Sequence, residues 1–347
     1  MNNTVSLNHL HIEISSKCAL KCPRCPRAEI PDSLINRQLS LDFFERALAT
    51  VIADVKKITF CGNDGDPIYA TDFLPVVRWI KQTNPNCKIV TITNGSYKSA
   101  AWWKEFAGLL SSIDEVHWSL DGWDHASNNQ YRVNSDWSSI IAGIQAFKSA
   151  NTAAYTTWAA IAFKFNEHML HAMQQQAVDL GFDAFQLTMS TKFGSKYNAY
   201  PADDPLEPSG KYVPQGHRYE RTVRRLSAKP DPDAAFKQHL LDTANALDGS
   251  NLRLCAIGTK GAFINSQGEF FPCCWVAARQ PHNQHWQELA QSKFNLYNNT
   301  LEDVLAQHAE FEAAFAKPSI GYNECREKCS KAIIKPDLIN AHYVTEW

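Results

Sequence analysis

Short apolar runs alternate with longer amphipathic segments along the first half of the chain. Runs rich in β-branched and aromatic residues predict six strands, at 10–15, 57–62, 88–93, 115–120, 156–163 and 184–189. Apolar residues recurring three and four positions apart predict helices at 40–55, 70–83, 99–113, 137–150 and 167–181. This alternation is typical of parallel strands joined by crossover helices. The pattern therefore predicts an α/β fold, with a barrel or open barrel of six strands over residues 8–190.

The pattern changes after residue 190. Residues 191–250 begin with a stretch rich in Pro, Gly and Asp and then become helical, so we expect a connecting segment followed by a bridging helix. Residues 251–347 contain short elements and five cysteines. We expect this last part to form a second, smaller domain.

Composition and charge narrow the class of protein. A hydrophobic fraction of 44% and a charged fraction of 20% are those of an ordered globular protein. A net charge of −2 gives no basic surface for nucleic acid, and the basic run at 217–229 is expected to be a solvated helix face. The sequence has neither a secretory signal nor an apolar run of about 18 residues, so we expect a cytoplasmic protein that is not in the membrane.

Three of the ten cysteines are clustered on the loop after the first predicted strand. Cys18, Cys22 and Cys25 lie within eight residues. Three thiolates on a tight loop can hold three corners of an iron–sulfur cluster and leave one iron open to a substrate or cofactor. The alternatives are a zinc site or three unrelated buried cysteines, although structural zinc normally takes four protein ligands.

The spacing Cys18-x3-Cys22-x2-Cys25 resembles the signature of the radical S-adenosylmethionine (SAM) superfamily. The resemblance implies a partial (β/α)6 barrel and a catalytic [4Fe-4S] cluster held by these three cysteines. It also implies that SAM binds the open iron and is cleaved reductively to a 5′-deoxyadenosyl radical, with flavodoxin or ferredoxin as the electron donor. One residue departs from the family pattern, since Arg24 stands where an aromatic residue is common.

Further motifs follow the second, third and fourth predicted strands. Gly65-Asp66-Pro67 is similar to the family's Gly-Gly-Glu-Pro segment, and Ser119 and Asp121 belong to a Ser-x-Asp-Gly segment. Arg132 matches an arginine that binds the SAM carboxylate in the family, for which its forked guanidinium is suited. The residues that the resemblance implies for SAM binding are Gly65, Asp66, Asn94, Ser119, Asp121 and Arg132. The alternatives are simple turns and a surface arginine. Glu13 and Glu167 are candidates for a functional role near strand ends or helix starts, although capping or solvation explains them adequately.

The late cysteines form a second pattern. Cys255 is followed by Gly268 and Cys273 in a C-x12-G-x4-C arrangement, and Cys325 and Cys329 come later. This arrangement resembles the SPASM or shortened twitch extension and implies one auxiliary [4Fe-4S] cluster. The implied ligands are Cys255, Cys273, Cys325 and Cys329, with Cys274 as an alternative ligand. A zinc ribbon is the alternative for this domain.

Three functions remain open from the sequence. The resemblance favours an enzyme that modifies a ribosomally made peptide or a protein side chain by crosslinking, oxidation or epimerisation. The aromatic, Pro-containing stretch 191–216 supports a peptide cleft. Against a peptide, the first predicted strand begins near residue 10, so we expect no leader-binding domain before it. The alternatives are radical chemistry on a small polar metabolite, such as an aminocyclitol, sugar or nucleotide, and an iron–sulfur or zinc protein that binds a partner without catalysis.

Overall fold

The computed structural model describes residues 9–29, 34–150, 153–190, 201, 203–209, 211, 221–235, 238, 262–271, 274, 277, 288, 291–307 and 342–343. Its strands are β1 (His9–Ile12), β2 (Lys57–Phe60), β3 (Lys88–Thr93), β4 (Glu115–Ser119), β5 (Tyr155–Ile161), β6 (Ala184–Thr188), β7 (Arg221–Arg225), β8 (Ala262–Ile264), β9 (Phe270–Phe271) and β10 (His342–Tyr343). Its helices are α1 (Pro26–Glu29), α2 (Leu41–Leu48), α3 (Phe73–Thr83), α4 (Ala100–Leu109), α5 (His125–Asn128), α6 (Trp137–Ser149), α7 (Leu170–Asp179) and α8 (Leu301–Ala306). The six strands predicted in the first half of the chain are present as β1–β6, and the predicted helices lie between them.

The chain divides into two compact units. The first comprises residues 1–18, 32–91 and 232–340, and the second comprises 19–31, 92–231 and 341–347. The division falls within the loop after β1 and within β3, so each unit draws on several separate stretches of sequence. No helix in the ranges given above is long and apolar enough to cross a membrane.

The first unit contains five strands in the order β3-β2-β1-β8-β9. β1, β2, β3 and β8 run parallel, with Ile58 paired to Leu10 on one side and to Ile89 on the other. These three residues are fully buried, as expected for strands covered on both faces. At the amino ends of β2 and β3, the carboxylate of Asp233 accepts hydrogen bonds from Lys57 Nζ at 2.9 Å and Lys88 Nζ at 2.6 Å.

The second unit contains β4, β5 and β6 as a parallel set, followed by β7 antiparallel to β6 and β10 parallel to β7. Its core is aromatic, and Trp103, Trp118 and Trp158 are fully buried. A Cβ on Gly143 of α6 would lie 2.4 Å from the Trp103 ring, so the glycine allows α6 to pack closely on α4. At the amino ends of β5 and β6, Asp183 Oδ2 accepts from the backbone N of Thr156 at 2.9 Å.

The prediction of a helix face within residues 217–229 is wrong for Arg221–Arg225, which form β7. The β-branched pair Thr222 and Val223 favours a strand, and Val223 is buried with Tyr155 and Ala184. The strand forms because the edge of β6 offers an antiparallel partner, which a local pattern does not reveal. Most of the predicted bridging helix lies outside the described residues.

Candidate active site

The loop between β2 and α3 is attached to the end of β1 in the first unit. The buried carboxylate of Glu13 accepts hydrogen bonds from the backbone N–H groups of Asp64 at 2.6 Å and Gly65 at 3.2 Å. The N–H of Asp66 donates to the carbonyl of Lys17 at 3.0 Å, one residue before the first cysteine. The predicted cofactor segment Gly65-Asp66 is therefore held directly against the start of the cysteine loop.

Gly65 lies where a side chain has no room. A Cβ at this position would be 1.9 Å from the carbonyl oxygen of Ser15 and 2.6 Å from Ser16 Cα. Both contacts are with backbone, which cannot rotate away. The neighbouring Asp66 is buried, and its Oδ1 accepts from the N–H of Ile68 to cap the turn Pro67–Tyr69.

Glu13 carries a strongly perturbed carboxyl group. Burial raises the pKa of Glu13 to about 7, and the nearby Asp64 carboxylate adds to this rise. Solvation, offered above as an explanation of Glu13, is wrong because only 3% of this residue is exposed.

The replacement Glu13→Gln should change how stability depends on pH. A carboxyl whose pKa rises from 4.5 to about 7 on folding stabilises the fold fully below pH 4.5, and this contribution is lost as the pH rises through 7. Between pH 4.5 and 8, the free energy of unfolding of the native protein should therefore fall by about 3 kcal/mol more than that of Glu13→Gln. Urea unfolding at several pH values measures this difference.

Glu45→Gln is the matched control for that experiment, because Glu45 is an exposed carboxylate on α2. Its pH profile should follow that of the native protein. Parallel profiles for the native protein and Glu13→Gln would show that Glu13 does not titrate in this range.

Two of the three clustered cysteines share one turn in the second unit. The N–H of Cys25 donates to the carbonyl of Cys22 at 3.1 Å, and α1 begins at the next residue, Pro26. Cys22 is buried, and Cys25 is half-buried, as is Cys18 in the first unit. Burial raises the pKa of the Cys22 thiol, and the positive charge of the Arg132 guanidinium opposes this rise.

Arg132 forms an ion pair with the buried Asp121 beside this turn. Arg132 Nε lies 2.6 Å from Asp121 Oδ2, and Asp121 Oδ1 accepts from the N–H of Ile161 at 2.7 Å. Burial alone would lower the pKa of Arg132, but the charges of Asp121 and Cys22 outweigh burial and raise it. A permanent positive charge is thus fixed next to the Cys22 thiol.

The residues after Arg132 hold the backbone of the cysteine loop. The N–H of Lys21 donates to the carbonyl of Val133 at 2.9 Å, and Asn134 Nδ2 donates to the carbonyl of Ala19 at 2.8 Å. Asn134 has a positive φ of 69°, and Tyr97 has a positive φ of 67°. The Tyr97 hydroxyl donates a hydrogen bond to the carbonyl of Asn134. Non-glycine residues with positive φ are uncommon and tend to occur at functional sites. This pair therefore buttresses the loop between Cys18 and Cys22.

The remaining predicted SAM contacts lie at the carboxyl ends of β3 and β4. Asn94 comes after β3 and is buried, with its Oδ1 accepting from the N–H of Ser96 in a tight turn. Ser119 is the half-buried last residue of β4, two residues before Asp121. The structure therefore brings Asp121, Arg132 and Cys22 into one cluster, and it places Asn94 just after β3 and Ser119 at the end of β4.

The cysteine turn fits an iron–sulfur cluster. Cys22 and Cys25 are close enough for their charges to interact, and the Arg132 guanidinium would offset part of the negative charge of bound thiolates. Among the described residues, no three His, Cys, Asp or Glu side chains converge tightly enough to hold a single metal ion. The corner ligands of a four-iron cube are spaced more widely than the ligands of one zinc. The auxiliary ligands Cys255, Cys273, Cys325 and Cys329 lie outside the described residues, and Cys274 is half-buried.

Sequence reasoning missed several residues that organise the site. It left Glu13 and Glu167 to capping or solvation, but Glu167 is also buried and binds the N–H of Ser209. It gave Asn134 no role, and it described Arg24 only as a departure from the family pattern. No sequence pattern marked Asn134, because its turn contains no glycine. Glu13 did carry a signal, since it is a carboxylate at the end of a predicted strand.

Comparison with solved structures shows that the chain shares the fold of SuiB and anSMEcpe, and confirms the α/β fold that the strand pattern predicted. Streptococcus suis SuiB bound to its precursor peptide SuiA matches 86% of this chain with a TM-score of 0.54 and 15% sequence identity. SuiB bound to S-adenosylmethionine matches with a TM-score of 0.51 and 14% identity. Native anSMEcpe with bound AdoMet and Cp18Cys peptide matches 92% of this chain and 85% of its own, with a TM-score of 0.50 and 19% identity.

The matched region covers 64% of the SuiB chain in both complexes. No protein-family model and no curated protein sequence matches the chain. At these levels of identity, the likeness establishes the fold.

Proposed function

We propose that this chain is a radical SAM enzyme that modifies a ribosomally made peptide or a protein side chain. The observation that carries the proposal is the ion pair of Arg132 with the buried Asp121, beside the Cys22 thiol. A fixed guanidinium next to clustered thiols is suited to an anionic metal cluster, and it lies just beyond the carboxyl end of β4. Active sites of barrels built from parallel strands and helices lie at the carboxyl ends of their strands.

Cys18, Cys22 and Cys25 would hold a [4Fe-4S] cluster by three corners. When bound, the cluster and SAM would supply the 5′-deoxyadenosyl radical that removes a hydrogen atom from the substrate. Within the chain, Arg132 balances charge at the thiols, and Asp121 keeps its guanidinium in place. Burial of Asp121 and Cys22 excludes water from this part of the site.

The other predicted contacts would orient SAM. The carboxylate of Asp66 is suited to an ammonium group, and the lack of a side chain at Gly65 brings backbone close to the ligand. Asn94 and Ser119 would add polar contacts after β3 and β4. Arg132 has guanidinium nitrogens besides Nε, so it can bind a ligand carboxylate while it is paired with Asp121.

A peptide is the favoured substrate. SuiB and anSMEcpe, which share this fold, have each been solved with a peptide bound. Crosslinking, oxidation or epimerisation of a side chain are the outcomes we consider. The proposal also includes one auxiliary [4Fe-4S] cluster, held by Cys255, Cys273, Cys325 and Cys329. A flavodoxin or ferredoxin would be the reductant.

Anaerobic reconstitution with iron and sulfide tests the cofactors. The protein should bind about four irons if only the first cluster forms and about eight if both form. Under reduction it should convert SAM to 5′-deoxyadenosine. A protein that binds zinc in place of iron, or that leaves SAM intact after loading with iron, would contradict the proposal.

A deuterium-transfer experiment tests the substrate class. Candidate peptides encoded beside the gene, uniformly deuterated, are incubated with the loaded enzyme and SAM, and the 5′-deoxyadenosine is analysed by mass spectrometry. Deuterium in this product, together with a mass change in the peptide, supports peptide modification. Transfer only from deuterated aminocyclitols, sugars or nucleotides would establish the metabolite alternative.

A further inference from the structure

A buried ion pair connects the cysteine turn to a distant part of the second unit. Arg24, between Cys22 and Cys25, places Nη2 2.6 Å from Oδ2 of Asp204, which lies 180 residues away in the sequence. The two side chains are 10% and 0% exposed. A buried ion pair contributes little net stability because both charges lose water, but breaking it leaves one charge uncompensated. The main effect of such a pair is therefore to determine which two segments of the chain pack together, and its contribution to the stability of the fold is small.

Asp204 belongs to a segment, Asp203–Ser209, that we call the strap. Within the strap, Asp204 Oδ1 accepts from the N–H of Leu206 at 3.0 Å, so the same carboxylate both shapes a turn and binds Arg24. This double use of one side chain means that the turn of the strap and the ion pair form together.

The strap is attached at two further points to the loop that follows β5. The N–H of Lys164 donates to the carbonyl of Leu206 at 3.1 Å. The N–H of Ser209 lies 3.1 and 3.0 Å from the two carboxylate oxygens of the buried Glu167. The strap is therefore bound to the chain beyond the carboxyl end of β5 as well as to the cysteine turn.

The same loop after β5 is connected to the Asp121–Arg132 pair. Asn166 Nδ2 donates to the carbonyl of Asp121 at 2.8 Å and to the carbonyl of Ile161 at 2.9 Å. The cysteine turn is thus joined to the strap through Arg24, and the charge of Arg132 lies beside its Cys22 thiol.

We infer that the strap is clamped onto the cysteine turn by the Arg24–Asp204 pair, and that Arg24 is a positioning residue for Cys22 and Cys25. The pair sets the orientation of the turn, and the contacts of Lys164 and Glu167 tie that orientation to the end of β5. The inference rests on the proposed function, because it takes the cysteine turn to hold the iron–sulfur cluster.

Two neutral variants, Arg24→Gln and Asp204→Asn, test the clamp. Asp204→Asn keeps an oxygen that can cap the turn at Leu206 but removes the charge that binds Arg24. Asp203→Asn is the matched control, because Asp203 is the adjacent, exposed carboxylate of the strap. Arg24→Lys keeps the positive charge but lacks the forked guanidinium group. The double variant Arg24→Asp/Asp204→Arg exchanges the two charges.

The first readout is amide hydrogen exchange of the full chain, measured with and without iron. In Arg24→Gln and Asp204→Asn, the amides of Lys164 and Ser209 should exchange at least tenfold faster, whereas Asp203→Asn should match the native protein. The second readout is the electron paramagnetic resonance spectrum of the reduced cluster before and after SAM is added. Both neutral variants should change this spectrum, and the lysine variant should give an intermediate one.

Unchanged exchange in both neutral variants would overturn the clamp. Faster exchange with an unchanged spectrum would overturn the positioning role, since the strap would then be detached without effect on the cysteines. Recovery of slow exchange in the charge-exchanged double variant would support the ion pair as the cause. If the native chain fails to bind iron, the proposed function fails, and the exchange data still decide whether the clamp exists.

Discussion

Replacing Cys22 with alanine should abolish the conversion of SAM to 5′-deoxyadenosine, with at least a hundredfold less product than the native protein. The variant removes one of three thiols that would hold the cluster, and it is the thiol whose pKa the charge of Arg132 lowers. Iron content after anaerobic reconstitution and product formation under reduction are the two measurements. Iron at the first site should fall together with activity.

Cys87→Ala is the control for this experiment. Cys87 is a fully buried thiol just before β3. Its removal leaves a small cavity that costs about 1 kcal/mol of stability and should leave iron binding intact. Product formation at the native rate in Cys22→Ala would remove the cysteine turn from the proposed mechanism.

Gly65→Ala should destabilise the protein by about 3 kcal/mol and lower SAM cleavage at least tenfold. The new Cβ would overlap the carbonyl oxygen of Ser15, so either the loop after β2 or the loop after β1 must shift. Such a shift would break the bonds from Asp64 and Gly65 to Glu13 and from Asp66 to Lys17. Urea unfolding and the KM for SAM measure the two effects, and KM should rise because the proposed ligand loop is displaced.

Gly108→Ala makes the same chemical change where there is room. Nothing lies within 4 Å of a Cβ at Gly108, which is exposed on α4. An alanine in this helix should stabilise the protein by about 0.5 to 1 kcal/mol and leave SAM cleavage unchanged. Equal behaviour of the two alanine variants would contradict the steric argument for Gly65.

The alternation of strands and helices was predictable because each element carries its own pattern. The runs that form β2 and β3 are short, rich in β-branched residues and buried along most of their length, and α2 begins at Leu41 after the N-cap Ser40, whose side chain accepts from the N–H of Phe43. The predicted cysteine loop was also found after β1. In these places a stretch of a few residues contains the information that sets its structure.

Contacts between distant stretches were not predictable in this way. Arg24 and Asp204 are 180 residues apart, and neither has a local pattern that marks it as half of a buried pair. The strand β7 depends on the free edge of β6, so the basic residues around Val223 gave a misleading helical reading. Pairing of Asp121 with Arg132, 11 residues apart across a turn, is an intermediate case. Both were singled out as ligand contacts, but their contact with each other was not foreseen.

The networks around Asp233 and Asp183 lie at the amino ends of strands, away from the loops assigned to chemistry. Asp233 joins the first residues of β2 and β3 through Lys57 and Lys88, and Asp183 joins the starts of β5 and β6. Substitutions at Asp233 or Asp183 should therefore weaken the joins between neighbouring strands, and they leave in place the loops that we propose hold the cofactor.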